Sequence, residues 1–206
     1  MEKLEQKYAD KDIYYDTKSF HGIGDLKPMG SPLEQKTGKL LNDLPLYLRA
    51  FDKTLRNMSD SAIIIVLDND KRNPEEFERQ LHRITSENMI LSDHVFCVAV
   101  KEMEAWLLGD MDAIEESYPN VRKNAGRNYI QDGICDTWEV LANMIYPGGL
   151  SALKRKSANS YHEIGKMKAE WADKIGSALN LDNNNSPSFQ FFIHELTRRI
   201  ETAESI

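Results

Sequence analysis

Two short apolar runs, separated by one helix-length segment, constrain the fold of this chain more than any other feature. The first run, from Ser61 to Leu67, reads SAIIIVL and ends abruptly at Asp68. The second extends from Val95 to Val100. Continuous runs rich in β-branched residues are typical of strands that are buried on both faces of a parallel sheet. The sequence therefore predicts two buried parallel strands.

The segment between the two runs has the pattern of an amphipathic helix. Pro74 opens it, and Phe77, Leu81 and Ile84 follow at helical spacing. Proline is favoured in the first turn of a helix because its missing N–H would have no partner there. Strand, helix and strand in this order predict a right-handed crossover with both strand ends on one edge of the sheet.

The rest of the chain completes an α/β prediction: a mostly parallel central sheet flanked by helices, with an all-helical C-terminal half. Asp12 to Phe20 is predicted as a weaker strand and Leu40 to Leu55 as a helix despite Pro45. We place an α/β core at residues 1–110 and a helical layer packed on it at residues 111–206, with a separate helical domain as the weaker alternative. The predicted C-terminal helices are Met103 to Leu108, Met111 to Tyr118, Thr137 to Ile145, Tyr161 to Leu179 and Pro187 to Glu201.

Composition limits the classes of function. Of the 206 residues, 41% are hydrophobic and 29% charged, which is typical of a globular protein. The sequence contains no apolar leader and no membrane-spanning run, so we expect a cytoplasmic protein. The net charge of −7 argues against a protein that coats nucleic acid by bulk electrostatics.

Four acids follow the two predicted strands. Asp68 and Asp70 come directly after the first, and Glu102 and Glu104 follow the second. If the strands are neighbours, the crossover brings all four to one sheet edge, and hard carboxylate oxygens are the ligands that Mg²⁺ prefers. The alternatives are that Asp-Asn-Asp is turn chemistry, or that Lys71 or Arg72 folds back and neutralises the acids without a metal.

A local basic segment interrupts the negative chain. Between residues 154 and 174 there are six basic residues and three acids. Such a segment could meet a phosphate backbone, although a solvated helix face is the more ordinary interpretation. The residues assigned to this contact are Lys154, Arg155, Lys156, Lys166 and Lys168.

Four segments together resemble the bacterial domain-of-unknown-function family 4276, which is regarded as related to the Toprim fold. They read IIIVLDNDKRN, VAVKEMEAWLLGDMDAIEESYP, YPGGL and KAEWADKIGSALNLDNNNSPSFQFF. The resemblance extends from about Lys11 to Glu201. Its most specific parts are the E-A-W-L-L and S-P-S-F segments.

The resemblance implies a Toprim-like fold and a Mg²⁺ or Mn²⁺ site. Toprim-like domains carry a first-strand Glu-Gly and a later D-x-D, and Asp68 and Asp70 match the D-x-D. No matching Glu-Gly stands in this sequence, and Glu2 and Glu5 lie in a segment predicted to be a helix. From the resemblance we expect one of two explanations: the sequence starts late, or the first strand has been lost.

Two classes of function follow from these features. In the first, the protein is a metal-dependent nuclease or phosphodiester-processing enzyme, which family resemblance associates with antiphage defence and an ATPase partner. Asp68, Asp70 and Glu104 hold the metal, Glu104 acts as ligand or general base, and Glu102 supports it. In the second, the chain is a non-catalytic interaction module or a degenerate Toprim-like domain, and its acids are structural.

Overall fold

The predicted β-α-β unit is present. The computed structural model describes residues 1–25, 38–158 and 160–203. Its sheet pairs β1 (Ala62–Asp68) with β2 (Asp93–Ala99). Just past the strands, the amide of Asn69 donates to the carbonyl of Ala99 at 3.2 Å and the amide of Asp70 to that of Lys101 at 2.9 Å. Both partners advance together along the chain, as parallel pairing requires.

Helices make up most of the described residues. Residues 1–25, 38–158 and 160–203 contain nine α-helices, which are α1 (Glu2–Lys7), α2 (Leu40–Leu55), α3 (Pro74–Glu87), α4 (Glu104–Leu108), α5 (Met111–Ser117), α6 (Thr137–Ile145), α7 (Gly149–Lys156), α8 (Tyr161–Ala178) and α9 (Pro187–Thr202), with a short 3-10 helix at Lys123–Gly126. The prediction of a helical C-terminal half is confirmed for the described residues. Neither α7 nor the 3-10 helix was predicted from the sequence.

The start of α3 shows how local chemistry sets a helix boundary. The side chain of Asn73 accepts a hydrogen bond from the amide of Glu76 at 2.9 Å, and Pro74 occupies the first turn. This N-cap satisfies one of the donors that a helix start leaves without a partner. Phe77 and Leu81 then face the core, with 1% and 0% exposure.

Two predictions about the sheet were wrong. Among the described residues, the predicted strand at residues 12–20 is not formed, so the parallel sheet has two strands. Nor is β1 buried on both faces: Ile63, Ile65 and Leu67 are buried, whereas Val66 is 37% exposed. An unbroken apolar run has no period-2 signal, so it cannot indicate that one face of the strand is open.

The chain forms two compact units, and neither is continuous in sequence. The first comprises Met1–Leu67, Arg72–Cys97 and His194–Ile206, and the second comprises Asp68–Lys71 and Val98–Ile193. The domain boundary expected after residue 110 stays a prediction.

The first unit builds its core from α2, α3 and the two strands. Its buried side chains include Leu41, Leu44, Leu48, Ile63, Ile65, Phe77, Leu81 and Phe96. Asp52 at the end of α2 accepts hydrogen bonds from the amides of Leu91 and Ser92, each at 2.8 Å. Burial alone would raise the pKa of Asp52, but these bonds and the Arg56 guanidinium together lower it. The carboxylate thus fixes the approach to β2.

The second unit is a helical core around two tryptophans. Trp106 stacks on Phe192 at 5.0 Å and meets Phe189 edge-on at 5.5 Å. Trp171 is 2% exposed, and α4 packs against α5, α6 and α8. Trp106 and Trp171 therefore anchor this core. No helix among the described residues is both long and apolar enough to cross a membrane.

Candidate metal and phosphodiester site

The candidate site begins with the three residues at the end of β1, where the middle one is structural. Asn69 is fully buried, and its Oδ1 accepts a hydrogen bond from the amide of Lys101 at 2.6 Å. Asp70 and Lys101 both take positive φ angles, of 49° and 73°. Positive φ is unfavourable for residues with a Cβ, so Asn69 stabilises a constrained link between the two strand ends.

Asp68 carries an unpaired oxygen. Its Oδ1 is buried and has no hydrogen-bond partner among the described residues. Burial, and then the negative charges of Glu104 and Asp70, raise the pKa of Asp68 to about 7. The charge of Lys168 opposes this rise. The carboxyl group therefore changes its protonation state near neutral pH, and its buried oxygen suits a proton or a cation.

Glu104 is the first residue of α4, and it forms an ion pair. Its side chain is only 9% exposed, and its Oε1 lies 2.9 Å from Nζ of Lys168, which α8 supplies. A buried carboxylate needs such a partner because leaving it unpaired in the interior is costly. Arg72 was one of the two basic residues predicted as alternative partners for the acids. Its guanidinium group instead donates to the carbonyl of Gly24 at 3.0 Å and lies over the Phe77 ring.

The sequence contained a signal for this role of Lys168. In α8, Lys168 falls on the same stripe as Ile164, Trp171 and Ile175, all three of which are buried. Spacings of four, three and four residues place these side chains on one helix face. A lysine on a buried stripe needs an acidic partner. From the basic segment alone, Lys168 was instead assigned to a contact with a phosphate backbone.

Glu102 has a structural contact. Its Oε2 accepts hydrogen bonds from Thr137 Oγ1 at 2.7 Å and from the amide of Trp138 at 3.4 Å. The residue before α6, Asp136, makes no side-chain capping bond. Glu102 therefore acts as a cap in its place and also puts a negative charge at the positive end of the helix.

A second polar network, which the sequence analysis missed, lies beneath the S-P-S-F segment. Asp132 accepts hydrogen bonds from Ser186 Oγ at 2.9 Å and from the amide of Ser188 at 3.1 Å. Ser188 Oγ in turn accepts bonds from Trp106 Nε1 at 2.9 Å and from the amide of Val100 at 3.3 Å. The network ties the end of β2 to α4 and α9. Its members are about 50 to 90 residues apart in sequence, so no local pattern reveals it.

The basic segment divides into paired and unpaired cations. Lys154 contacts Glu139 at 2.7 Å and Lys166 contacts Glu163 at 2.8 Å. Arg155 and Lys156 are exposed, and their side chains have no ion-pair partner within the part of the chain that the structure describes.

The four acids are electrostatically coupled, but they are not assembled as a cage. Asp70, Glu102 and Glu104 all raise the pKa of Asp68. Within residues 1–25, 38–158 and 160–203, however, no three His, Cys, Asp or Glu side chains are grouped so that they could hold a metal ion. Mg²⁺ in proteins commonly uses one or two carboxylates and keeps several waters. The described acids thus form no enclosed metal site, and any cation bound here would keep most of its water ligands.

Both the β-α-β unit with acids at its strand ends and the helical second unit belong to a known class of domain. The chain is a member of the DUF4276 family of domains of unknown function, whose model matches residues 32–197. This confirms the family resemblance. No curated protein and no solved structure matches the sequence.

Proposed function

We propose that this protein is a Toprim-like, Mg²⁺- or Mn²⁺-dependent enzyme that processes phosphodiester bonds, as a nuclease does. The observation that carries the proposal is the buried, unpartnered Oδ1 of Asp68, at a strand end and coupled to Asp70 and Glu104. Ligands of open α/β sheets bind at such carboxyl ends.

The carboxylates supply the donor chemistry for this role. Asp68 and Asp70 are the proposed first ligands, and Glu104 acts as a third ligand or as general base. A bound divalent cation would neutralise phosphate charge and lower the pKa of a water ligand. Glu102 contributes by holding α6, because its carboxylate already caps that helix.

Lys168 would compete with a metal cation for the carboxylate of Glu104. Its ammonium group neutralises Glu104 at 2.9 Å, so a cation that takes Glu104 as a ligand must displace this contact. We therefore expect Lys168 to weaken metal binding. Once released, Lys168 could hold an anionic phosphate beside the carboxylates.

The same ion pair favours a second candidate function. If Lys168 permanently replaces the cation, Glu104 is neutralised without metal, and the chain is a non-catalytic interaction module. The two candidates differ in one observable property, which is divalent-cation binding that depends on Asp68.

The biological setting of the proposal rests on family resemblance. We propose that the substrate is a nucleic acid and that the basic segment binds it. We also propose that the protein is cytoplasmic and acts together with an ATPase in antiphage defence.

The experiment is calorimetric titration with Mn²⁺ at pH 8 on the wild type, Asp68→Asn and Lys168→Gln. We expect saturable heats for the wild type, loss of binding in Asp68→Asn and tighter binding in Lys168→Gln, which lacks the competing charge. Asp173→Asn, which alters an exposed acid on α8, is the matched control and should behave like the wild type.

Equal heats in all variants would exclude the metal site and support the interaction module. Incubation of the same proteins with labelled single-stranded DNA, RNA and plasmid then tests catalysis. Mn²⁺ binding without cleavage of any of these would support the metal site and refute the catalytic function.

A further inference from the structure

The turn between α6 and α7 is held rigidly by two polar side chains. It reads Tyr146-Pro147-Gly148-Gly149, and both glycines have positive φ, of 81° and 73°. Arg122 donates from Nε to the carbonyl of Asn143 at 3.0 Å and from Nη2 to that of Tyr146 at 2.8 Å. Asn143 Oδ1 accepts from the amide of Leu150 at 3.0 Å and so caps the start of α7. The walls formed by this turn are therefore preorganised.

A cavity of about 430 Å³ opens beside this turn. It is a wide-open depression and not an enclosed pocket, so a ligand there would keep one side in solvent. The cavity combines one aromatic ring with two cationic side chains. Its lining residues are Tyr146, Pro147, Ala152, Arg155 and Lys156.

The cationic residues at the cavity differ in whether they have an ion-pair partner. Lys154, the first of three consecutive cations, is paired with Glu139 and lies over the Trp138 ring at 5.6 Å. Arg155 and Lys156 follow directly and have no carboxylate partner among the residues that the structure describes. In a protein of net charge −7, these two neighbouring cations form a local positive patch that would attract an anionic ligand.

We propose that this cavity binds one nucleotide unit of a single-stranded nucleic acid, with its phosphate at Arg155 and Lys156 and its base against Tyr146. The inference deepens the proposed function and rests on it for the substrate class. Guanidinium groups bind phosphate oxygens in a bidentate fashion. An aromatic ring beside cations is the usual arrangement for single strands, because every base has a face that can stack. Bases in a duplex are already stacked and do not offer that face.

The cavity and the carboxylates lie in the same compact unit. Helix α7 packs on α6, and α6 packs on α4, which carries Glu104. Glu102 also caps α6 directly. A nucleic-acid strand bound at the cavity would therefore contact the same unit that carries the acids. Because the carboxylates take no part in this contact, the binding step does not require a metal.

The test measures the anisotropy of fluorescein-labelled 12-nucleotide oligo(dT) and oligo(U) with the full chain in EDTA, from 50 to 200 mM NaCl. Arg155→Gln with Lys156→Gln should weaken binding at least about tenfold at the lowest salt. It should also reduce the slope of log K against log salt by about 1.4, as two lost contacts to single-strand phosphates imply. Tyr146→Leu should weaken binding about 5- to 150-fold, the range of one lost base stack, and Tyr146→Phe should not.

The matched control removes the same charge elsewhere, through Lys53→Gln with Arg127→Gln at two exposed cations, and should change affinity less than about threefold. An equal loss in the control, no binding by the wild type, or wild-type binding in Tyr146→Leu would each overturn the proposal. So would equal affinity for a 12-base-pair duplex, or variant-sensitive binding only to phosphatidylserine vesicles. EDTA separates this test from the metal proposal, whose failure appears only in the Mn²⁺ titration.

Discussion

Replacing Asp68 with asparagine should stabilise the protein at neutral and alkaline pH. In the folded chain the pKa of Asp68 is raised from an ordinary value near 3.8 to about 7 by burial and by its acidic neighbours. The folded state therefore favours the protonated side chain. The stability associated with this proton is fully present below pH 3.8 and is lost as pH rises through 7.

The size of the effect follows from the pKa difference. About three pKa units, at about 1.4 kcal/mol each, give an upper limit of about 4 kcal/mol for the cost of ionising Asp68 in the folded chain. Asp68 keeps partial contact with solvent, and screening reduces the cost. We expect the free energy of unfolding of Asp68→Asn to be about 2 to 4 kcal/mol higher than that of the wild type at pH 8. At pH 4 the difference should be close to zero.

Urea denaturation followed by tryptophan fluorescence, in EDTA and at intervals from pH 4 to 8.5, measures this difference. Titrating groups that do not interact with Asp68 are shared by the two proteins and cancel in the comparison. Asp70 and Glu104 are coupled to Asp68, so their response to its neutralisation is part of the measured difference. Asp173→Asn should show no such pH-dependent gain. A stability difference between Asp68→Asn and the wild type that does not change with pH would refute the assigned burial and coupling of Asp68.

Two further predictions concern stability. Trp106→Ala should lower the free energy of unfolding by about 3 to 5 kcal/mol because Trp106 packs against two phenylalanines, whereas truncating Phe191, which is 46% exposed, should cost much less in the same urea assay. A loss below about 1 kcal/mol at Trp106 would contradict its core role. Asp132→Ala should cost about 2 to 3 kcal/mol because it leaves Ser186 and the amide of Ser188 without their acceptor. Asp132→Asn retains a carbonyl acceptor and tolerates the positive φ of 54°, so equal thermal shifts for the two variants would speak against the network.

Much of the candidate site could be predicted from local pattern. The D-x-D at the end of β1 and the two glutamates after β2 follow from the crossover rule, and the helix over Leu40–Leu55 was predicted with the bounds observed. A local pattern could not predict which hydrogen-bond or ion-pair partner each acid has. Glu102 caps α6, whereas Glu104 is paired with Lys168. These roles depend on partners 35 and 64 positions away.

The sequence by itself determined the order and type of most elements, because apolar periodicity, prolines and caps act within a few residues. Tertiary structure alone decided that the sheet has two strands in the described chain, that Val66 is exposed, and that Lys168 is the counter-ion of Glu104. It also decided that one oxygen of Asp68 is buried without a partner. The physical reason is that burial and ion pairing depend on which distant side chains exclude water from a point in space. Local pattern records only which side chains share a face.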